Sequence, residues 1–198
     1  YIIIADIPME GDLKLSESEF LITTVLSAII ASLVVYLFVK LNDTAQPLTV
    51  GLTASNKLRD FIIGTGLGAV VMLLGFGSLL LLGEIQIESI SVDSFELACS
   101  TIGFLAVAYS EELIFRGFLM RKLQLKYTAT TALIVSSVIF SIMHLGNDNL
   151  SLMGVFDLFV AGLMLGAVFL YTKNLWMVIG LHFGWNFVQT HLGFNVSG

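Results

Sequence analysis

Two stretches of this chain, Phe20 to Val39 and Phe61 to Gly83, contain no charged side chain. A helix needs about 20 apolar residues to cross the hydrocarbon layer of a bilayer, and each stretch is long enough. Within lipid the backbone must satisfy its own N–H and C=O groups, which leaves helices and closed barrels as the spanning forms. The period-2 alternation of a membrane barrel strand is not seen, so both stretches read as helices. Further apolar segments run from Leu97 towards Lys122, Ala129 to Met143, Leu152 to Tyr171 and Leu175 to Thr190. The expected fold is an all-α polytopic membrane protein, a bundle of about six transmembrane helices enclosing its polar groups. Residues 1–19 read as an acidic N-terminal stretch and 20–198 as a single transmembrane helical domain, with the polar motifs between 97 and 190.

Charged residues make up 12% of the chain, about half the share of a soluble domain. The net charge of −6 comes with no basic patch, which argues against a nucleic-acid partner. Cys99 is the one cysteine, so neither a disulfide framework nor a thiolate metal cluster is available. The short, acid-rich start does not read as a signal peptide, and a chain beginning at Tyr1 instead of Met is expected to be a fragment. Lys40, Lys57 and Arg59 flank the first connection, Arg116, Arg121, Lys122 and Lys126 the third, and Lys173 the fifth; Lys14 is the exception. Basic connections stay in the cytoplasm, so a multi-pass protein of the cell membrane is expected, with both termini extracytoplasmic. The pairs Gly64 and Gly68, Gly162 and Gly166, and Gly180 and Gly184 mark faces where helices can approach closely.

Against this background, ionisable groups inside the spans stand out, because charges in a bilayer are costly and usually functional. Glu112 and Arg116 are i and i+4 on a helix and can pair. Glu111 is turned about 100° away, so one carboxylate can be neutralised while the other points elsewhere. His182 and Asn186 share a face by the same spacing. At a rise of ~1.5 Å per residue, Glu111 and His182 fall at similar depth from the basic side, and His144 lies deeper unless its helix is short or tilted. An unpaired Glu, two His and an Asn at membrane depth form a set suited to hydrolysis, in a cavity expected to open towards the cytoplasm. His191 is expected at the surface, and Asp157 caps its helix or lines a water-filled cavity.

The segments EELIFR, FSIMH and HFGWN reproduce in order the motifs EExxxR, FxxxH and HxxxN. In these the chain resembles the CPBP family of CAAX prenyl proteases and bacteriocin-processing enzymes, also called the ABI family of intramembrane proteases. The resemblance runs from about Phe61 to Asn195, and Glu111, Glu112, Arg116, Phe140, His144, His182 and Asn186 all fit. It implies an intramembrane endopeptidase, with its active site inside the bundle, acting on a membrane-associated or prenylated protein or peptide in contact with lipid. By the same resemblance Glu111 and His144 activate water, and His182 and Asn186 bind the oxyanion or hold a metal. Glu112 and Arg116 support them.

A divalent metal such as zinc would take Glu111, His144 and His182 as ligands and leave one position for water. The metal-free arrangement uses the same residues, and the HExxH helix of many zinc proteases is absent. Two other classes use such groups: an ion-coupled transporter and an inactive immunity or scaffold relative. The transporter reading lacks an inverted repeat, and the only prolines, Pro8 and Pro47, lie outside the spans.

Overall fold

Helices follow one another in the order the apolar runs predict: α1 (Glu17–Asn42), α2 (Lys57–Leu82), α3 (Ser94–Glu112), α4 (Arg121–Gln124), α5 (Ala129–Met143), α6 (Leu152–Thr172) and α7 (Leu175–His191). The structure, a computed structural model, describes residues 2–4, 15–42, 51–52, 55–147 and 150–196. The expected N-terminal stretch lies mostly outside those residues, as do Lys14, Pro8 and Pro47. Between α3 and α4 the backbone is π-helical over Leu113–Met120, so Ser94–Gln124 is one continuous helix of 31 residues. Four helices, the long ones beginning at Glu17, Lys57, Ser94 and Leu152, are apolar and long enough to cross a membrane. By contrast α5 has only 15 residues, about 22 Å of rise, short of the ~30 Å hydrocarbon layer.

Side-chain caps mark where the helices start. Asp93 accepts from the amides of Phe95 and Glu96 ahead of α3. Thr128, Ser151 and Asn174 do the same for α5, α6 and α7, satisfying amides that a first turn leaves unpaired. Gly83 ends α2 in the left-handed region at φ 74°, a conformation that costs glycine little.

α1 lies alongside α3 in the same direction. Phe20 packs on Phe104, Ser32 donates to Tyr109 Oη at 3.1 Å, and Phe38 stacks near Phe118. α2 and α7 are likewise parallel, with Gly64 against Met177 and Gly68 against Leu181 and Trp185. Seven basic side chains, Lys40, Lys57, Arg59, Arg121, Lys122, Lys126 and Lys173, therefore gather at one end of the bundle. Arg116 does not join them, because it is buried in the core.

At the other end an unexpected antiparallel ladder pairs β1 (Ile2–Ile4) with β2 (Ile87–Ile90). The all-helix reading passed over these short strands because the connection after α2 is too brief for sheet periodicity to register.

The core forms where the π-helical segment, α5, α6 and α7 meet, around Leu113, Met120, Ala132, Phe169, Leu175 and Ile179. α1 and α2 turn Ile29, Ile30, Leu33, Leu73 and Leu74 outward, as expected of faces solvated by lipid.

The two glycine pairs on α2 and α7 are reciprocal. A Cβ added at Gly64 or Gly68 would overlap a carbonyl oxygen of α7, and one at Gly180 or Gly184 a carbonyl oxygen of α2. Gly66 and Gly75, on the same helix as Gly64, face open space.

Gly68→Ala should therefore destabilise the detergent-solubilised protein by about 1–3 kcal/mol, as overpacking does. Gly66→Ala should be neutral or stabilise by roughly 0.5–1 kcal/mol. Thermal melts of the two variants side by side measure this, and equal effects would mean that α2 and α7 do not approach through these glycines.

Candidate active site

The last turn of α3 carries Glu111 and Glu112, which face different nitrogens of the His182 ring. Glu112 is completely buried, and its Oε1 accepts from Arg116 Nη1 at 2.7 Å. The same oxygen faces His182 Nδ1 at 2.8 Å. Arg116 spends a second nitrogen on the Gly162 carbonyl of α6 at 3.1 Å and lays its guanidinium over the Phe140 ring at 4.6 Å. Phe140 meets Phe115 edge-on at 5.1 Å. The pairing of Glu112 with Arg116 follows from helical spacing, whereas its second bond to α7 had no signal in the sequence.

Glu111 Oε2 lies 3.9 Å from His144 Nε2 and 3.8 Å from His182 Nε2, and this buried oxygen has no hydrogen-bond partner. His144 was the group whose depth did not match. It caps the C-terminus of α5, and its Nε2 nevertheless comes within 3.9 Å of Glu111.

Both rings are held by their other nitrogen: His144 Nδ1 lies 2.7 Å from the Phe140 carbonyl, and His182 Nδ1 faces Glu112. A carbonyl and an ionised carboxylate can only accept, so Nδ1 carries the proton in each ring. Neutral His144 and His182 therefore both present an unprotonated Nε2 to Glu111.

Asn186 sits one turn beyond His182 on α7, buried. Its amide makes no hydrogen bond to another described residue, so it does not serve as a helix-to-helix tie. His191 departs from expectation: it is half-buried between α7 and α3, with Nε2 3.3 Å from Ser100 Oγ and Nδ1 2.6 Å from the Phe187 carbonyl. It takes no part in the cluster.

Glu111, Phe140, His144, His182 and Asn186 line one cavity of about 680 Å³. Its other walls come from Phe76 and Leu79 of α2, Asp157 of α6, and Trp185 and Gln189 of α7. α2 and α6 make no substantial contact with each other, so the cavity lies between them. The lining runs from Glu111 towards Ser151, Gln189 and Asn195, residues at the end that carries the β-ladder.

Three acceptors converging without a donor have the chemistry of a metal site. At 3.8–3.9 Å from the Glu111 oxygen the two ring nitrogens stand wider than the ligands of a tetrahedral zinc, which lie about 3.3 Å apart from bonds of ~2.0 Å. Among the described residues, no three His, Cys, Asp or Glu side chains are grouped to hold an ion.

Among proteins of known type, the family model described as type II CAAX prenyl endopeptidase Rce1-like matches residues 93–188. That interval opens at the N-cap of α3, closes three residues before the end of α7 and holds every motif residue. It starts later than the resemblance near Phe61 and leaves α1 and α2 outside. No curated protein and no solved structure matches the chain.

Arg116→Ala would leave the Glu112 carboxylate buried beside a single imidazole, at a cost of about 3–5 kcal/mol. The expected outcome is a steep loss of thermal stability in detergent. Adding Glu112→Gln should recover much of it, since the stranded charge is gone. A double variant no more stable than Arg116→Ala would refute the pairing as the source of the loss.

Proposed function

Because the chain belongs to the Rce1-like CAAX prenyl endopeptidase family, we propose that it is an intramembrane endopeptidase cutting a membrane-associated or prenylated protein or peptide. One observation carries the proposal: a buried, unpartnered carboxylate oxygen of Glu111 faces two imidazole Nε2 atoms inside a cavity between α2 and α6.

The roles follow from which atoms can accept and which can donate. Glu111 Oε2 and His144 Nε2, 3.9 Å apart, are too far for a direct hydrogen bond and can both accept from one water about 2.8 Å from each. As the water oxygen bonds to the scissile carbonyl carbon, its proton passes to this pair. The proton is then delivered to the departing amide nitrogen as the C–N bond breaks. The Asn186 amide donates to the carbonyl oxygen as it gains charge, a contribution of roughly 10²–10³-fold in rate for one such donor. His182 can add a second donor only as an imidazolium, since its neutral ring presents a lone pair at Nε2. Glu112 stabilises that cation from behind, as an acceptor already placed at Nδ1.

Orientation is part of the proposal. With the basic end in the cytoplasm, both termini and the hollow half of the bundle face the other side. Ser151→Cys should then be labelled by a membrane-impermeant maleimide from outside intact cells, and Lys173→Cys only after permeabilisation. The opposite pattern would reverse the assignment.

Cleavage is tested with purified protein in proteoliposomes and a library of membrane-anchored peptides. Glu111→Gln and His144→Ala should abolish cleavage while remaining monodisperse. Asn186→Ala should slow it by about 10²–10³-fold, and a chelator should leave the wild type active. Undiminished cleavage by Glu111→Gln would overturn the mechanism, and chelator-sensitive, zinc-restored cleavage would assign a metal to these ligands instead.

A further inference from the structure

α1 has no charged residue between Phe20 and Val39, yet that run holds four Ser and Thr hydroxyls, at Thr23, Thr24, Ser27 and Ser32. Ser32 is taken up by Tyr109 Oη of α3, 3.1 Å away. The other three line a second cavity, a cleft of about 180 Å³ between α1 and α3. Val107, Ser110 and Glu111 line it from the α3 side.

Among the described residues, Glu111 alone lines both this cleft and the catalytic cavity, and no residue of α1 lines the latter. Its Oε2 is buried before the two His rings, while its side chain as a whole remains 25% exposed. The carboxylate therefore stands between two spaces, one walled by α2, α6 and α7 and the other by α1.

The hydroxyls of the cleft have capacity left for water. Thr23 Oγ1 donates to the Glu19 carbonyl at 2.8 Å, Thr24 Oγ1 to the Phe20 carbonyl at 2.8 Å, and Ser110 Oγ to the Val107 carbonyl at 3.0 Å. A hydroxyl has one proton and two lone pairs, so all three can still accept. Ser27 makes no side-chain hydrogen bond to another described residue. A buried water takes up about 30 Å³ and needs two to four polar partners. The cleft has the room for several and the groups to hold them.

A polar stripe leads to it from the exposed start of α1. Ser16, Glu19, Thr23 and Ser27 recur at intervals of three and four residues, one side of a helix, and Ser16 and Glu19 are exposed. Ser27 lies eight residues past Glu19, about 12 Å along the axis. Each cleavage consumes one water. A peptide seated in the catalytic cavity displaces the water already there and leaves walls such as Leu79, Leu158, Met164 and Leu165, which offer no route for more.

Resting on the reading of this site as a peptidase, we propose that the cleft between α1 and α3 supplies the hydrolytic water. Water passes along Thr23, Thr24, Ser27 and Ser110 and reaches Glu111 from the side that the peptide does not occupy. α1, outside the interval of the family match, thereby takes part in the reaction as the wall of its water supply.

The test places single cysteines in Cys99→Ala protein in lipid nanodiscs and measures their reaction with a small cationic methanethiosulfonate. The thiolate is the reactive form and apolar surroundings suppress it, so the rate reports water at each site. Thr23→Cys and Ser27→Cys should react at least about tenfold faster than Ile22→Cys and Ile29→Cys, which lie at nearby depths on the exposed face of α1. A membrane-anchored peptide bound to the Glu111→Gln form should leave the Ser27→Cys rate unchanged. In the active form, modifying Ser27→Cys should lower kcat severalfold with KM unchanged, because the cleft feeds the chemical step and not peptide binding. A reducing thiol that removes the adduct should restore it. Equal rates at Ser27→Cys and Ile29→Cys overturn the proposal, as does protection by the peptide or an undiminished kcat after modification. Fast modification with no cleavage of any peptide overturns the peptidase reading and leaves the water-filled cleft standing.

Discussion

Glu112 Oε1 receives the Arg116 guanidinium at 2.7 Å and the His182 ring at 2.8 Å, and the residue is entirely buried. A carboxylate taken out of water costs several kcal/mol unless it is paired; Oε1 has both partners and the buried Oε2 has none, so these partners are held in place as firmly as the charge itself. The consequences spread through three helices. Arg116 reaches on to the Gly162 carbonyl and the Phe140 ring, which locates α6 and α5 against the π-helical segment. His182 is fixed in tautomer and direction. Glu111, one residue away and turned about 100° around the helix, has no hydrogen-bond partner for its buried Oε2. The arrangement resembles a metal site's outer shell in its physics, where the far nitrogen of a ring is tied so that the near one is presented.

Much of this was legible in the sequence because it depends on spacing along one helix. The i, i+4 relation of Glu112 with Arg116 and of His182 with Asn186 survives any packing, and the charge-free runs set the helix order. What escaped notice needs a second element to be seen. The bond from Glu112 to His182 spans 70 residues, and nothing local to either residue announces it. The π-helical turns over Leu113–Met120 also left no mark in the pattern, apart from Gly117 among bulky residues. The short strands β1 and β2 are too brief for alternation to show. Asp157 was noticed as odd but could not be assigned, since only the fold shows which side of α6 borders the cavity.

The hollow is enclosed unevenly. A close contact, α2 on α7 through Gly64, Gly68, Gly180 and Gly184, lies beside it, and α6 stands away from α2 on the far side. Close backbone approach on one flank and separation on the other leave the space between α2 and α6. α1 and α2 lie outside the interval that the family model covers. α2 nevertheless supplies Phe76 and Leu79 to the cavity wall, so part of that wall lies beyond the shared motifs.

The central claim is that Glu112 fixes the His182 ring so that its Nε2 faces Glu111. The chain has only three histidines, which makes the ring nitrogens directly readable by solid-state ¹⁵N NMR of histidine-labelled protein in bilayers, with His144→Gln and His191→Gln used to assign the signals. The account predicts that His182 carries a proton on Nδ1 in its neutral form, with an unprotonated Nε2, and that Glu112→Ala alone shifts its Nδ1 resonance. A neutral His182 with the proton on Nε2, or an Nδ1 resonance indifferent to Glu112, would contradict it.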